Sequence, residues 1–226
     1  MTSVKLFSTD ISTAVIFYDL IPYMNPDIYF RDLIYKEYYM KKIDSMMRAD
    51  LLFSISDYSA TEPVSVFSID PGRVVSISAA IEDNFYTAEN SGENDSVTAR
   101  YNLKKPYIMH IGVIETRKNF EALIKAYSCL DAGLRDKHQL FLVAQGNNNA
   151  RGMLMKIAAS SGLSCDEVVI TDYIPDEDLA LLFSRCFLFV FPSFHEGFGL
   201  PPLEAMACGA VTIGSNCTSI PEVIGR

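Results

Sequence analysis

The sequence predicts an α/β protein whose second half is a doubly wound parallel sheet, and three observations carry that reading. Apolar strand-like runs recur after Pro106, at 107–111, 139–144, 168–171, 187–191 and 210–214. Helical patterns lie between them, near 119–134, 150–162, 176–185 and 201–208. Strands that are apolar along their whole length, alternating with helices, are what a parallel sheet covered on both faces requires. The third observation is bulk: 226 residues, 49% hydrophobic and 21% charged, are enough for a real core and correspond to one large domain or two small ones. Ligands of such sheets bind at the carboxyl ends of the strands.

The first half is less regular. The run Ala14-Val15-Ile16-Phe17-Tyr18 is short and apolar and ends at Asp19, as a buried strand does where it meets a functional loop. Pro22 and Pro26 punctuate that loop. From Asp27 a helical pattern carries Phe30, Leu33, Ile34, Tyr38, Ile43 and Met47 on its apolar side and leaves Lys36, Glu37, Lys41 and Lys42 for water. A second strand reads over 51–55, Ser56-Asp57 caps a weak helix running toward Phe67, and a third strand reads over 73–77. Between Glu82 and Lys105 the composition turns to Glu, Asp, Asn, Ser, Thr and Gly without apolar periodicity, which predicts a linker over 83–105.

Charge and cysteine content exclude several classes. The net charge is −9, with 10 basic against 15 acidic residues in 1–105 and 9 against 13 in 106–226, so bulk charge favours neither nucleic acid nor anionic lipid. No apolar run approaches the roughly 20 residues of a membrane span. The opening Met1-Thr2-Ser3-Val4-Lys5-Leu6 lacks the layout of a secretory signal. The five cysteines are widely spaced, without a Cys-x-x-Cys pair or a histidine cluster, so neither a disulfide framework nor a zinc site is signalled and a reducing cytoplasm is expected.

Two constellations carry chemistry. The first, Gly112-Val113-Ile114-Glu115-Thr116-Arg117-Lys118-Asn119, stands between a strand and a helix. A glycine at the strand end lets a ligand approach the backbone, and Arg117 and Lys118 add positive charge where the next helix begins. The pattern fits a diphosphate site and equally an ordinary polar loop with two solvated basic residues.

The second runs from Phe194 through His195-Glu196-Gly197-Phe198-Gly199-Leu200-Pro201-Pro202-Leu203-Glu204 to Gly209. Proline in the first helical turn and glycine beyond the last mark a short helix from about Pro201 to Cys208. Its glycines permit a tight turn before that helix. Glu196 precedes the turn and Glu204 lies within the helix, so the two carboxylates point to different places. That argues against a glycosidase pair, whose carboxyl groups flank one bond at about 5–9.5 Å. Each Glu instead suits a hydroxyl clamp, since a carboxylate accepts from vicinal hydroxyls; for Glu204 a solvated or capping helix residue is the alternative. His110, inside an apolar strand, reads as a core residue, and His195 as a residue able to line the pocket.

With these residues in view, the sequence resembles the retaining glycosyltransferases of family 4, also called the group 1 family. The likeness rests on Glu196-Gly197-Phe198-Gly199-Leu200-Pro201 with Glu204 eight positions after Glu196, and on Ala205-Met206-Ala207-Cys208-Gly209. Ser215-Asn216 with Pro221-Glu222-Val223, the Gly112 to Asn119 loop and the Tyr173-Ile174-Pro175 turn match in order. Tyr18-Asp19-Leu20-Ile21-Pro22 and Ala49-Asp50 with Ile55-Ser56 resemble the latter part of the family's acceptor-side domain. The likeness begins near residue 14 and continues to the end.

The resemblance implies the two-Rossmann-domain glycosyltransferase fold (GT-B type). Residues 106–226 would be a nearly complete nucleotide-sugar (donor) domain lacking its last elements, 83–105 a linker, and 1–82 the C-terminal part of a truncated acceptor-side domain. It implies retaining, metal-independent transfer of a mannosyl- or glucosyl-type hexose from a UDP- or GDP-linked donor to a glycan or lipid-linked acceptor, as in cell-surface polysaccharide biosynthesis, with no cofactor. Truncation motivates the alternative of a nucleotide-sugar binding module without turnover. A sugar-nucleotide epimerase or glycan phosphorylase fits the sheet but lacks support in the motifs.

Residue by residue, the resemblance implies that Arg117 and Lys118 neutralise the donor diphosphate and that Glu196 holds hydroxyls of the transferred sugar. Gly112 borders the donor at the strand end, and Gly197, Phe198, Gly199 and Leu200 support sugar and phosphate. Glu204 would clamp the ribose and Ile174 lie against the base. Tyr18 and Asp19 would stand on the acceptor side. Many members carry His-Asp there, and tyrosine, with a pKa near 10, suits hydrogen bonding or shape rather than general-base work. The implied setting is the cytoplasm, with no nucleic-acid partner, no transmembrane segment and any membrane association peripheral.

Overall fold

The computed structural model describes residues 11–86 and 94–225, so the opening hexapeptide and the centre of the 83–105 stretch lie outside the described residues. The chain divides into two compact units. The first takes the chain up to Ala80 together with His195–Gly199 and Thr218–Glu222; the second takes Ile81–Phe194, Leu200–Cys217 and Val223–Arg226.

The first unit is built on three parallel strands, β1 (Ala14–Phe17), β2 (Leu51–Ser54) and β3 (Val74–Ser76), in that order. Helices α1 (Ile21–Met24), α2 (Pro26–Tyr29) and α3 (Leu33–Arg48) lie between β1 and β2, and α4 (Asp57–Phe67) follows β2. The core gathers Phe17, Leu20, Ile43, Met46, Ala49, Leu52 and Ile69 on one side of the sheet. Two expectations are corrected here. Ala14 and Ile16 are exposed, because successive side chains of a strand face opposite sides and only the side of Val15 and Phe17 meets the helices. The single helix expected from Asp27 is broken: Asp32 turns its carboxylate onto the N–H groups of Ile34 and Tyr35 and starts a new helix. The face it buries is also shifted, since Leu33 and Ile34 are 75% and 82% exposed whereas Ile43 and Met46 are buried.

The second unit carries five parallel strands: β4 (Tyr107–Val113), β5 (Gln139–Gln145), β6 (Val168–Thr171), β7 (Leu188–Phe191) and β8 (Thr212–Gly214). Their spatial order is β6-β5-β4-β7-β8. Counted within the unit this is 3-2-1-4-5, the Rossmann order, whose switch point lies between β4 and β7. Helices α6 (Phe120–Ser128), α7 (Ala132–Arg135), α8 (Asn148–Ser160), α9 (Asp176–Arg185) and α10 (Leu200–Ala207) connect or follow the strands. Strand β5 is buried from Gln139 to Ala144 because it is covered on both faces. Leu140, Leu142 and Ala144 meet Phe120, Leu123, Ile124, Leu154 and Ala158 of α6 and α8. Its alternate residue Phe141 packs edge-on against Tyr107, and Phe183 of α9 packs edge-on against Phe189.

The stretch expected as a linker belongs to the second unit wherever it is described. A short helix, α5 (Asn94–Arg100), packs on α9, and Phe85, Val97 and Leu103 are buried. Asp178 accepts from Arg100 Nη1 and, at 2.7 Å, from Tyr101 Oη. Gln139 Oε1 accepts from the N–H groups of Lys104 and Lys105. A seven-residue helix whose apolar residues are Val97 and Ala99 produces no helical periodicity, which is why composition alone reads as linker. Among the described residues no helix is long and apolar enough to cross a membrane.

Candidate functional site

At the switch point of the second unit, β4 ends in Gly112-Val113 and leads into a 3₁₀ turn, Thr116–Lys118. Asn119 adopts a left-handed conformation (φ 59°) and its side-chain amide donates to Pro192 O at 3.1 Å. Phe194 N donates to Arg117 O at 2.8 Å. These two bonds tie the exit of β4 to the exit of β7, the crevice where ligands of this topology bind. Arg117 Nε donates to Glu115 Oε2 at 2.8 Å, and Lys118 is buried with its ammonium 5.2 Å from the Phe191 ring centre. A β-carbon at Gly112 would stand 3.2 Å from Lys118 Cδ, so glycine leaves the space that the lysine stem fills. His110 is fully buried, its Nδ1 bonded to Val190 O and its ring edge-on to Phe120, which makes it the core residue expected. Its pKa is pushed down to about 3, chiefly by burial and then by the Lys118 charge.

Further round the same unit, α10 presents Glu204. The helix starts at Leu200, which is partly exposed, and closes at Gly209, whose φ of +85° suits a residue without a β-carbon. Its carboxyl pKa is raised to about 7 by burial first and then by the charges of Asp176 and Glu82. A solvated surface carboxylate would not be perturbed in this way. Ile174 is buried and its neighbour Tyr173 exposed.

The remaining candidates fall in the first unit. Tyr18 is 65% exposed, and Asp19 Oδ1 accepts from Ile21 N at 3.0 Å. His195–Gly199 is fastened residue by residue. Glu196 N donates to Thr218 Oγ1 at 3.1 Å, and Ser219 Oγ lies 2.8 Å and 2.7 Å from Glu196 O and Phe198 O. Gly197 O accepts from Ser56 Oγ and Ser59 Oγ. Glu196 and Phe198 are each 8% exposed, and Gly199 has φ +114°. His195 does not stand open as a pocket-lining residue: its Nε2 meets Glu62 Oε1 at 2.8 Å and its ring meets Tyr58 edge-on.

Sequence reasoning misses Ser56, Ser59, Glu62, Thr218 and Ser219 as partners of this segment, and it gives Glu222 no structural role. The carboxylate of Glu222 accepts from the first two N–H groups of α4, at 2.9 Å from Asp57 N and 3.0 Å from Tyr58 N. Ser56 Oγ takes the third, from Ser59 N at 2.9 Å. The usual capping signal is present in Ser56-Asp57, but nothing local signals the distant carboxylate. Among the described residues no group of three or more His, Cys, Asp or Glu is placed to hold a metal ion.

A 3-2-1-4-5 parallel sheet with its basic loop at the switch point places the chain in the Rossmann-type class of α/β proteins. Residues 93–226 match the family described as Glycosyl transferases group 1, and the chain belongs to that family. It is 43% identical over 214 residues to a serotype-specific mannosyltransferase, WbdA, of Escherichia coli, covering 94% of this chain and 26% of that protein. It is 34% identical over 212 residues to an O-antigen chain mannosyltransferase B of Escherichia coli, covering 92% and 54%. The chain therefore spans about a quarter to a half of the length of these relatives. Among solved structures it is similar to Anabaena Alr3699/HepE in complex with UDP and glucose, with a TM-score of 0.73, 18% identity, and 94% and 55% of the two chains covered. That likeness bears on the fold, and the fold is the GT-B type expected.

Proposed function

We infer that the chain binds a nucleotide diphosphate sugar and takes part in retaining, metal-independent transfer of a hexose to a hydroxyl of a glycan or lipid-linked acceptor. The sugar is read as mannosyl in preference to glucosyl, because the curated relatives at 43% and 34% identity are named mannosyltransferases. The observation that carries the reading is the basic pair at the switch point, Arg117 against Glu115 and Lys118 buried against Phe191. As the glycosidic bond breaks, negative charge grows on the departing diphosphate, and a fixed positive field aimed there lowers the barrier without a divalent cation. Glu196 would accept from hydroxyls of the transferred sugar, and Glu204 from those of the ribose. Gly112, Gly197, Phe198, Gly199 and Leu200 would bring backbone close to sugar and phosphate, Ile174 would lie against the base, and Tyr18 with Asp19 would face the acceptor. The donor is UDP- or GDP-linked, no cofactor takes part, and the reaction is set in the cytoplasm.

A second reading keeps donor binding and drops turnover. One experiment separates the two. Glu196→Ala and Lys118→Ala are expected to abolish transfer, in the presence of a chelator, while folding survives. Turnover like that of the wild type in both variants sinks the assignment, and a wild-type chain that binds donor without transferring or hydrolysing it selects the second reading.

A further inference from the structure

In the first unit, three side chains spaced i, i+3 and i+6 at the start of α4 reach the segment that carries Glu196. Ser56 and Ser59, both buried, place their hydroxyl oxygens 2.6 Å and 2.5 Å from Gly197 O. Glu62, only 3% exposed, uses both carboxylate oxygens: Oε1 meets His195 Nε2 at 2.8 Å and Oε2 accepts from Leu20 N at 2.6 Å. A carboxylate only accepts, so His195 carries a proton on Nε2 and donates it to Glu62. The hydroxyl of Thr218 then holds Glu196 N from a backbone position, φ +51°, that a β-branched residue rarely adopts.

Burying a carboxylate carries a desolvation cost that an apolar side chain of similar volume would not. What Glu62 gives in return is specific: it ties the turn after β1, which carries Asp19, to the residue before Glu196. Of the side chains around it, Tyr58 packs on the His195 ring and Ser56 and Ser59 fix the residue on the far side of Glu196. Glu196 is thereby held through His195 on one side and Gly197 on the other.

We propose that Glu62 is a positioning residue of sugar transfer, acting through His195 to set where the Glu196 carboxylate stands against the donor sugar. This rests on the reading of Glu196 as the sugar clamp. On this reading Glu62 acts through His195 and not by a contact of its own with the sugar. Its effect is confined to the sugar, because the groups read as contacting diphosphate and ribose, Arg117, Lys118 and Glu204, lie on other elements.

The test compares the affinity of the full chain for GDP with GDP-mannose, and for UDP with UDP-glucose, in the wild type, Glu62→Gln, His195→Ala and His195→Gln. A misplacement of the order of an ångström costs up to about 100-fold in rate, so Glu62→Gln is expected to cut turnover 10- to 100-fold. It should weaken the sugar nucleotide about tenfold and leave the bare diphosphate within about twofold. His195→Ala should behave alike, and His195→Gln, whose amide donates to Glu62, should recover most of the loss. A folded Glu62→Gln chain with unchanged sugar-nucleotide affinity overturns the proposal, as does equal weakening of both probes or a His195→Gln no better than His195→Ala. Should Glu62→Gln fail to fold, the His195 pair decides. A wild type that binds GDP-mannose or UDP-glucose without turnover overturns only the transfer reading, and the affinity ratio still judges Glu62. A wild type that binds neither overturns both.

Discussion

Gly197 lies so close to the turn after β1 that a β-carbon built on it would stand 2.8 Å from Asp19 Oδ2 and 2.9 Å from the Tyr18 carbonyl oxygen. The second neighbour is backbone, so it cannot swing aside as the end of a long side chain would. The glycine is thus required by space, not by a left-handed backbone, and it joins two segments that the resemblance assigns to donor and acceptor sides.

Gly197→Ala should therefore destabilise the chain by about 1–3 kcal/mol, the usual cost of forcing a methyl group into a packed site. Urea unfolding reads the loss as a lower midpoint at unchanged slope. Gly152, with nothing within 4 Å of a built β-carbon, is the control, and Gly152→Ala should not lower the midpoint.

Glu204 predicts a pH dependence with a definite sign. Its carboxyl is raised from 4.5 to about 7, so between these values the folded chain keeps a proton that the unfolded chain has released. Stability from this group is highest below pH 4.5, falls as pH rises toward 7 and is level above. Subtracting the stability-against-pH curve of Glu204→Gln from that of the wild type should expose this slope. On the donor reading, nucleotide diphosphate affinity rises as pH passes through 7, because the ribose hydroxyls need the carboxylate.

His110 predicts the opposite slope. With its pKa pushed down to about 3 it stays neutral while the unfolded chain protonates near 6.5, so the stability it allows above pH 6.5 is lost as pH falls toward 3. His110→Leu should flatten the acid limb of the unfolding curve, and a variant with an unchanged acid limb would contradict the assignment.

Thiol reactivity should divide by environment. Burial pushes the pKa of Cys186 up to about 12 and that of Cys208 to about 11, the latter with help from Glu204, whereas Cys129 and Cys165 are exposed. The thiolate is the nucleophile. At pH 8 a disulfide reagent such as Ellman's should modify Cys129 and Cys165 in the native protein and reach Cys186 and Cys208 only after denaturant is added, as peptide mapping will show.

What the sequence by itself determines is local. The alternation after Pro106 yields five parallel strands because an apolar β5 and its amphipathic neighbours α6 and α8 have one way to bury their faces together. The prolines after Leu200 and the glycine at 209 delimit α10 to within a residue, since caps act over one turn. The basic pair and the two glutamates are legible too, by residue type and spacing. Tertiary structure alone decides the rest. Ser56 meets Gly197 across 141 positions, and Glu62 meets His195 across 133, distances at which no periodicity carries information. Which side of α3 is buried, and that one valine anchors α5, depend on what packs against each helix. The raised carboxyl of Glu204 likewise follows from burial and from two acidic neighbours brought to it by folding, because a side chain's chemistry is set by its type and its energy by its surroundings.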